Sequence, residues 1–527
     1  MEKKRFIGIV LSLFMVSSGF FFQRCSQSLP PRIDDLVNDY VAHDQFMGTV
    51  LVAEKGKVVF AKGYGLADVD RNMPNTPETK FMIGSITKQF TAMLVTQLVE
   101  KGMLRLDQTI SDFIPEFPAD IGKVITVEML LNHASGLRLP EGIEKYYSAS
   151  KKEEFLQEFI KQQSEEGLRF DPGKGYAYSN AGYYILGLII EKVTGKSYEE
   201  VLRGQILGPL GMADTGCAKK GQALDNEAVS YQKLPDRYIT WNEDVYSYDP
   251  GVVQFSAGFM YSTVGDLFKF SMAISSNTLL SRQYTEMYLK MRNVQSEPPI
   301  SNISPALAKE LFGTCGNGFA GEISVVEGPG SKERRTFFWH DGTCKLFKSH
   351  HYHFSDKDRV VIILSNLSFR GEGDEMVLKI HQLLNGRPYD HIRIKYSLAQ
   401  YISEDIAMHA GIPAAVGEYL RLADNTERFI VPGEDYVINH GRQFAEMGDS
   451  DSAILILRTA VSRFPQSWQA YDALGDAYRL KKDTAAAIQS FKKSLELNPQ
   501  NTHAIKVLKE LENKTPAIIL TERNYKS

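Results

Sequence analysis

Ser85 and Lys88 stand three residues apart in FMIGSITKQF (81–90). A serine hydroxyl is a weak nucleophile until a base takes its proton. A lysine serves as that base when loss of water or a nearby positive charge lowers its pKa. The spacing alone is not distinctive, since Ser148/Lys151, Ser230/Lys233 and Ser490/Lys493 repeat it. Ser85 at a helix start also reads as an N-cap for backbone N–H groups that have no partner inside the helix. Acyl-transfer chemistry needs further parts: a proton donor for the leaving group and two N–H groups facing an oxyanion.

Of these serines, Ser85 alone has the right company. The stretch DPGKGYAYSNAGYYILG (171–187) sets Tyr178 and Asn180 two residues apart in a loop before an apolar helix. A phenol and an amide so placed can point into one cleft. WHDGTC (339–344) sets His340 and Gly342 on one face of a strand, where glycine lets a ligand approach the backbone. Taken singly, Tyr178 and Asn180 are turn and cap residues, and His340 is a hydrogen-bonded strand residue. His350, His351 and His353 in SHHYHF alternate across a strand and lack carboxylates to complete a ligand set. No metal or other cofactor is expected there. His133, in LLNHASGL, reads as structural.

The elements that carry these residues follow from pattern. GTVLVAEKGKVVFAKGYG (48–65) is two strands around a Lys-Gly-Lys turn. SITKQFTAMLVTQLVEKG (85–102) repeats apolar residues at helical spacing and stops at Gly102. Helical patterns continue through 106–137, 152–166 and 180–203. From about 312 the chain turns strand-like, in RRTFFWHDGTCKLFKSHHYHF and DRVVIILSN. Strands that open and close a helical stretch predict one α+β unit over 32–390, its first and last parts sharing an antiparallel sheet.

The ordered set S-x-x-K, Y-x-N and [KH]-x-G resembles the penicillin-recognising serine hydrolases. More narrowly, it is similar to the branch of class C β-lactamases, D-alanyl-D-alanine carboxypeptidases and esterases. ITVEMLLNHASGL (125–137), GPLGMADT (208–215) and SAGFMYSTVGDLFKF (256–270) resemble that family too. The resemblance implies an antiparallel sheet flanked by helices with an all-helical insertion. It makes Ser85 the acylated nucleophile, with Lys88 and Tyr178 sharing general-base work and Tyr178 relaying a proton to the leaving group. Asn180 would orient Lys88 and the substrate carbonyl, and His340 and Gly342 would line the strand side of the cleft. The N–H groups of Ser85 and Thr343 would form the oxyanion hole. His-Asp-Gly stands where class C β-lactamases resemble Lys-Thr-Gly, which favours peptidase or esterase chemistry over antibiotic hydrolysis. His340 would be only partly charged near neutrality, and Trp339 and Phe259 would narrow the cleft.

The C-terminal fifth is built differently. GRQFAEMGDSDSAILILRTAVSRFP (441–465) aligns with GDAYRLKKDTAAAIQSFKKSLELNP (475–499) at an offset of 34 residues. Gly441/Gly475, Phe444/Tyr478, Ala453/Ala487 and Pro465/Pro499 coincide. That period is the signature of tetratricopeptide repeats. The expected organisation is a 32–390 hydrolase domain, a 391–432 helical connector, all-α repeats over 433–513 and a 514–527 tail. Residues 502–512 would be the capping helix.

The start, MEKKRF followed by the uncharged FIGIVLSLFMVSSGFFF (6–22), has the layout of a secretory signal, so 1–25 is read as a signal peptide or retained membrane anchor. Cys25 raises lipid modification as a further alternative. An exported protein of the periplasm or cell envelope follows. A net charge of −4 gives no reason to expect nucleic-acid binding. The four cysteines form no disulfide framework. Cys315 and Cys344 either pair across strands or remain buried thiols. Two functions stay open: a serine hydrolase acting on small amides or esters, a β-lactamase among them, and a scaffold that binds a protein partner through its repeats.

Overall fold

The computed structural model describes residues 28–513, apart from 139–151, 220, 234–237, 241–254, 295–313, 320, 328–333, 356–357, 369–371, 390–395, 401, 403–405 and 427–428. Residues 1–25, read above as a leader, and 514–527, read as a tail, fall outside these residues. Among the described residues no helix is long and apolar enough to cross a membrane. The chain divides into two compact units, Met1–Ile394 and Lys395–Ser527.

The first unit is organised by a sheet whose eight strands among the described residues we number in chain order. They are β1 (Gly48–Glu54), β2 (Lys57–Tyr64), β3 (Asn293–Val294), β4 (Thr314–Gly318), β5 (Gly321–Glu327), β6 (Arg334–Cys344), β7 (Phe347–Phe354) and β8 (Arg359–Ser365). Their spatial order is β3-β4-β5-β6-β7-β8-β1-β2. The β1–β2 hairpin closes through Lys55 and Gly56, both at positive φ, the turn geometry that matches strand twist. The expected sharing of one sheet by the two ends of the domain is realised by antiparallel β1–β8 pairing, from Gly48↔Ser365 to Glu54↔Arg359. Every residue of β8 is buried, and all of β1 but Glu54, so both faces of the sheet's centre are covered.

One cover is helical: α1 (Leu29–Ala42) meets α6 (Glu372–Leu384), where Tyr40 Oη donates to Glu375. The other side carries α2 (Thr87–Glu100), α3 (Lys152–Glu166), α4 (Asn180–Thr194) and α5 (Val264–Ser275). Helix α2 is buried from Thr87 to Leu98 and stops at Gly102, at φ 67°. Phe90 stacks on Phe270 of α5 at 4.1 Å. Each such fully buried side chain is worth roughly 1.5–3 kcal/mol relative to exposure.

The expected long helical pattern over 106–137 resolves into short pieces, Ile110–Asp112, Ala119–Gly122 and Val127–Leu131. Pro115 and Pro118 explain this, because proline lacks a backbone N–H and bars the preceding residue from helical conformation. Among the described residues, Cys217, Cys315 and Cys344 form no disulfide. Cys315 pairs in register with Ser324 on β5, which separates it from Cys344 on β6.

Among the described residues the second unit is helical apart from a two-residue parallel pairing, Tyr396–Ser397 with Phe429–Ile430. It runs α7 (Met408–Leu422), α8 (Glu434–Glu446), α9 (Ser450–Arg463), α10 (Trp468–Leu480), α11 (Thr484–Leu497) and α12 (Thr502–Asn513). The starts of α8, α10 and α12, and of α9 and α11, fall 34 residues apart. Asp449 and Asp483 cap α9 and α11 in the same way, accepting from Ser452 and Ala486 N–H. The repeated glycines mark close helix crossings. A Cβ on Gly441 would lie 2.5 Å from Leu457, and one on Gly475 would lie 2.8 Å from Phe491.

Candidate active site

Ser85 does not cap the helix. Gly84–Ile86 form a 3-10 turn leading into α2, with no side-chain cap. One turn later, Lys88 points back along the same face, so its Nζ lies 3.0 Å from Ser85 Oγ. Ser85 is half-buried, whereas Lys88 is only 1% exposed. Burial without a carboxylate partner holds the Lys88 amine well below the usual lysine range. A neutral amine within hydrogen-bond distance of a serine hydroxyl can accept its proton.

The contact that fixes Lys88 comes from Ala257, whose carbonyl accepts from Nζ at 2.6 Å. The strand Met260–Ser262 and the residues before it lie along the first turns of α2. Thr91 Oγ1 donates to the Ser256 carbonyl at 2.6 Å, and the Met260 N–H donates to Thr87 Oγ1 at 3.2 Å. The Lys88 amine is thus held by a backbone carbonyl, which no side-chain pattern announces. Asn180 itself is the first residue of α4, capped by Ser179 Oγ.

Tyr178 joins the pair from that same loop. Lys88 Nζ lies 4.9 Å from the centre of its ring. The Tyr178 side chain is 43% exposed, so it meets both the buried amine and solvent. The Tyr178 ring is also 6.2 Å from the His340 ring.

Strand β6 forms the opposite wall, and two glycines bring it close. A Cβ on Gly342 would lie 2.0 Å from the Ile83 carbonyl oxygen, and one on Gly84, at φ 51°, would lie 2.6 Å from Thr343 N. Neither clash is tolerable, so glycine at both positions is what lets the strand edge reach the Ser85 turn. Ser349 Oγ on β7 donates to the Ile83 carbonyl at 2.8 Å and pins the approach. Thr343 therefore lies against the Gly84–Ser85 turn.

His340 is buried, and its Nδ1 donates to the Asp341 carbonyl at 2.7 Å. Burial, with the nearby Lys88, pushes its pKa down to about 3. The partial charge expected near neutrality is absent, and Nε2 is left as an acceptor. Trp339 does not narrow the cleft. It alternates with His340 onto the far face of β6 and stacks on Tyr352 at 5.8 Å. Phe259 is buried in the main core.

The histidines of β7 divide between the sheet's faces. His351 Nδ1 donates to Gln89 at 2.7 Å, and His353 Nε2 meets Ser275 at 3.0 Å. His350 points the other way and, contrary to expectation, does meet carboxylates. Its Nδ1 is 2.9 Å from Asp341 and 3.0 Å from Asp374 at the start of α6. Burial opposes charge on His350, but Asp341 and Asp374 outweigh it and push its pKa up to about 10. A protonated imidazole thus ties β6 and β7 to α6, on the side of the sheet away from Ser85. Asp374 is invisible to local reading because it lies 24 residues downstream on another element.

A family model described as Beta-lactamase matches residues 33–384, and one described as Tetratricopeptide repeat matches residues 438–502. The chain is 29% identical over 362 residues to penicillin-binding protein 4* of Bacillus subtilis, covering 66% of this chain and 74% of that protein. Among solved structures it is similar to the octameric penicillin-binding protein homologue of Pyrococcus abyssi, with a TM-score of 0.57 and 26% identity over 68% of this chain and 78% of that one. It is also similar to the D-amino acid amidase of Ochrobactrum anthropi, with a TM-score of 0.53 and 25% identity over 68% of this chain and 99% of that one.

Proposed function

This chain belongs to the beta-lactamase family, and from that premise we propose an exported serine hydrolase that acts through an acyl-enzyme on small amides or esters. The observation that carries the reading is the buried Lys88 amine, 3.0 Å from Ser85 Oγ and 4.9 Å from the Tyr178 ring. Neutral Lys88 takes the Ser85 proton as Oγ attacks the substrate carbonyl. The negative charge formed on the carbonyl oxygen is met by the N–H groups of Ser85 and Thr343. Tyr178 passes a proton to the departing amine or alcohol, and water then releases the acyl group by the reverse route. Asn180 contacts the substrate carbonyl side, and His340 and Gly342 line the strand wall.

D-amino-acid peptides and short esters are the favoured substrates. A neutral His340 supplies no fixed positive charge for a substrate carboxylate, so short esters and peptide amides that lack one suit the site better than β-lactam antibiotics or free-acid peptides. The repeats favour a second role in the same chain, holding a segment of a partner protein, because stacked helical hairpins serve that purpose through their concave surface. Export rests on the 1–25 leader.

The test is intact-mass analysis after exposure to a fluorescent penicillin, a D-alanyl peptide and a p-nitrophenyl ester, with Ser85→Ala as control. An ester or D-alanyl adduct on Ser85, absent from the variant, is expected. Full turnover by folded Ser85→Ala protein would overturn the assignment.

A further inference from the structure

His133 holds residues on both sides of Tyr178. Its carbonyl accepts from the Ala177 N–H at 3.0 Å, and its Nδ1 accepts from the Ser179 N–H at 3.0 Å. Between those two anchors the imidazole stacks on the Tyr178 ring, with centroids 4.6 Å apart and planes inclined by 29°. The Tyr183 ring packs at 5.2 Å, and its hydroxyl donates to the Leu131 carbonyl at 3.2 Å. His133 is 5% exposed and sits at φ 56°, a left-handed conformation uncommon outside glycine. Residues held in that region persist when their surroundings over-determine them, and they cluster at functional sites.

We propose that His133 is the positioning residue of the site, a clamp that sets the Tyr178 phenol over Ser85 and Lys88; this rests on the reading of Tyr178 as the proton relay. The chemistry of the clamp is specific. Nδ1 must carry a lone pair to accept the Ser179 N–H, so the ring proton sits on Nε2. A charged imidazole would present a donor to that N–H and break the hold. Burial, the largest influence, holds the ring well below the usual histidine range. Tyr178 itself is 43% exposed.

Asparagine imitates half of this. Its Oδ1 stands near the place of Nδ1, and it tolerates positive φ better than most residues. The experiment is a double-mutant cycle on p-nitrophenyl acetate hydrolysis, with kcat and KM measured for wild type, His133→Ala, His133→Asn, Tyr178→Phe and the His133→Ala/Tyr178→Phe pair. Tyr178→Phe is expected to lower kcat by about 10²–10⁴-fold. His133→Ala is expected to lower kcat by about 10–100-fold, with KM changed less than about 3-fold, because a misplaced phenol weakens the transition state more than the bound substrate. His133→Asn should recover most of that loss. In the Tyr178→Phe background, His133→Ala should cost nothing further. Equal losses in both backgrounds, or wild-type kcat in His133→Ala, overturn the clamp and leave Tyr178 in place. Wild-type kcat in Tyr178→Phe overturns the relay itself. If His133→Ala does not fold, the asparagine variant in both backgrounds makes the same cycle. There a residual loss independent of Tyr178 refutes the proposal, and one that vanishes with Tyr178→Phe supports it.

Discussion

Lys88 Nζ touches two oxygens of opposite consequence: Ser85 Oγ at 3.0 Å, which it can deprotonate, and the Ala257 carbonyl at 2.6 Å, which can only hold it. An acceptor that cannot ionise fixes the amine without restoring its charge. A carboxylate in its place would pull the pKa back up. Lys88→Met keeps nearly the same volume and removes the base. We expect kcat to fall by about 10²–10⁴-fold, with far-UV circular dichroism unchanged. Near wild-type turnover would refute a basic role for the amine.

Gly342 admits the strand edge to the Ser85 turn. Gly342→Ala forces a Cβ against the Ile83 carbonyl, 2.0 Å away. Overpacking of that kind typically costs about 1–3 kcal/mol. A lowered thermal midpoint together with slower phosphonate labelling of Ser85 is expected. Unchanged labelling would mean that the two N–H groups do not act together.

His350 predicts a pH signature. Its folded pKa of about 10 exceeds the unfolded value near 6.5. Stabilisation by the Asp341–His350–Asp374 cluster is therefore complete below the unfolded pKa and is lost as pH rises through the folded one. Thermal midpoints of wild type and His350→Gln should differ more at pH 7 than at pH 10. A gap that widens toward pH 10 would contradict a charged imidazole.

In the repeats, Gly475→Val should push α10 off Phe491, which a Cβ would meet at 2.8 Å. A loss of about 1–3 kcal/mol is expected. It would be read as faster amide hydrogen exchange across 468–497 in the full chain. Unaltered exchange there would mean that the crossing is looser than its geometry.

The sequence carried the sheet, the main helix and the repeats because each rests on a local signal: a Lys55-Gly56 turn, apolar spacing up to Gly102, and a 34-residue offset. The meeting of Ser85, Lys88 and Tyr178 could be anticipated because a hydroxyl, an amine and a phenol are side-chain groups that a sequence displays. Ala257 was not, since any residue offers a carbonyl. His133 was visible as a residue but not as a clamp, because its hold on 177–179 depends on how two distant loops meet. The helical pattern over 106–137 broke into short pieces because an apolar period does not register two prolines. Asp374 and Trp339 show the remaining gap: a strand's alternation is readable, but which face looks onto the cleft is not.

The pairing of β1 with β8 joins residues more than three hundred positions apart in the middle of the sheet. Each has a local partner, β2 or β7, but the two cannot find one another until nearly the whole first unit has emerged from the ribosome. Contacts that distant close slowly, since loop entropy is lost before any pairing is gained. Until then the apolar β1 lies open to unwanted partners. The seam that makes the sheet continuous is thus the last to be sewn.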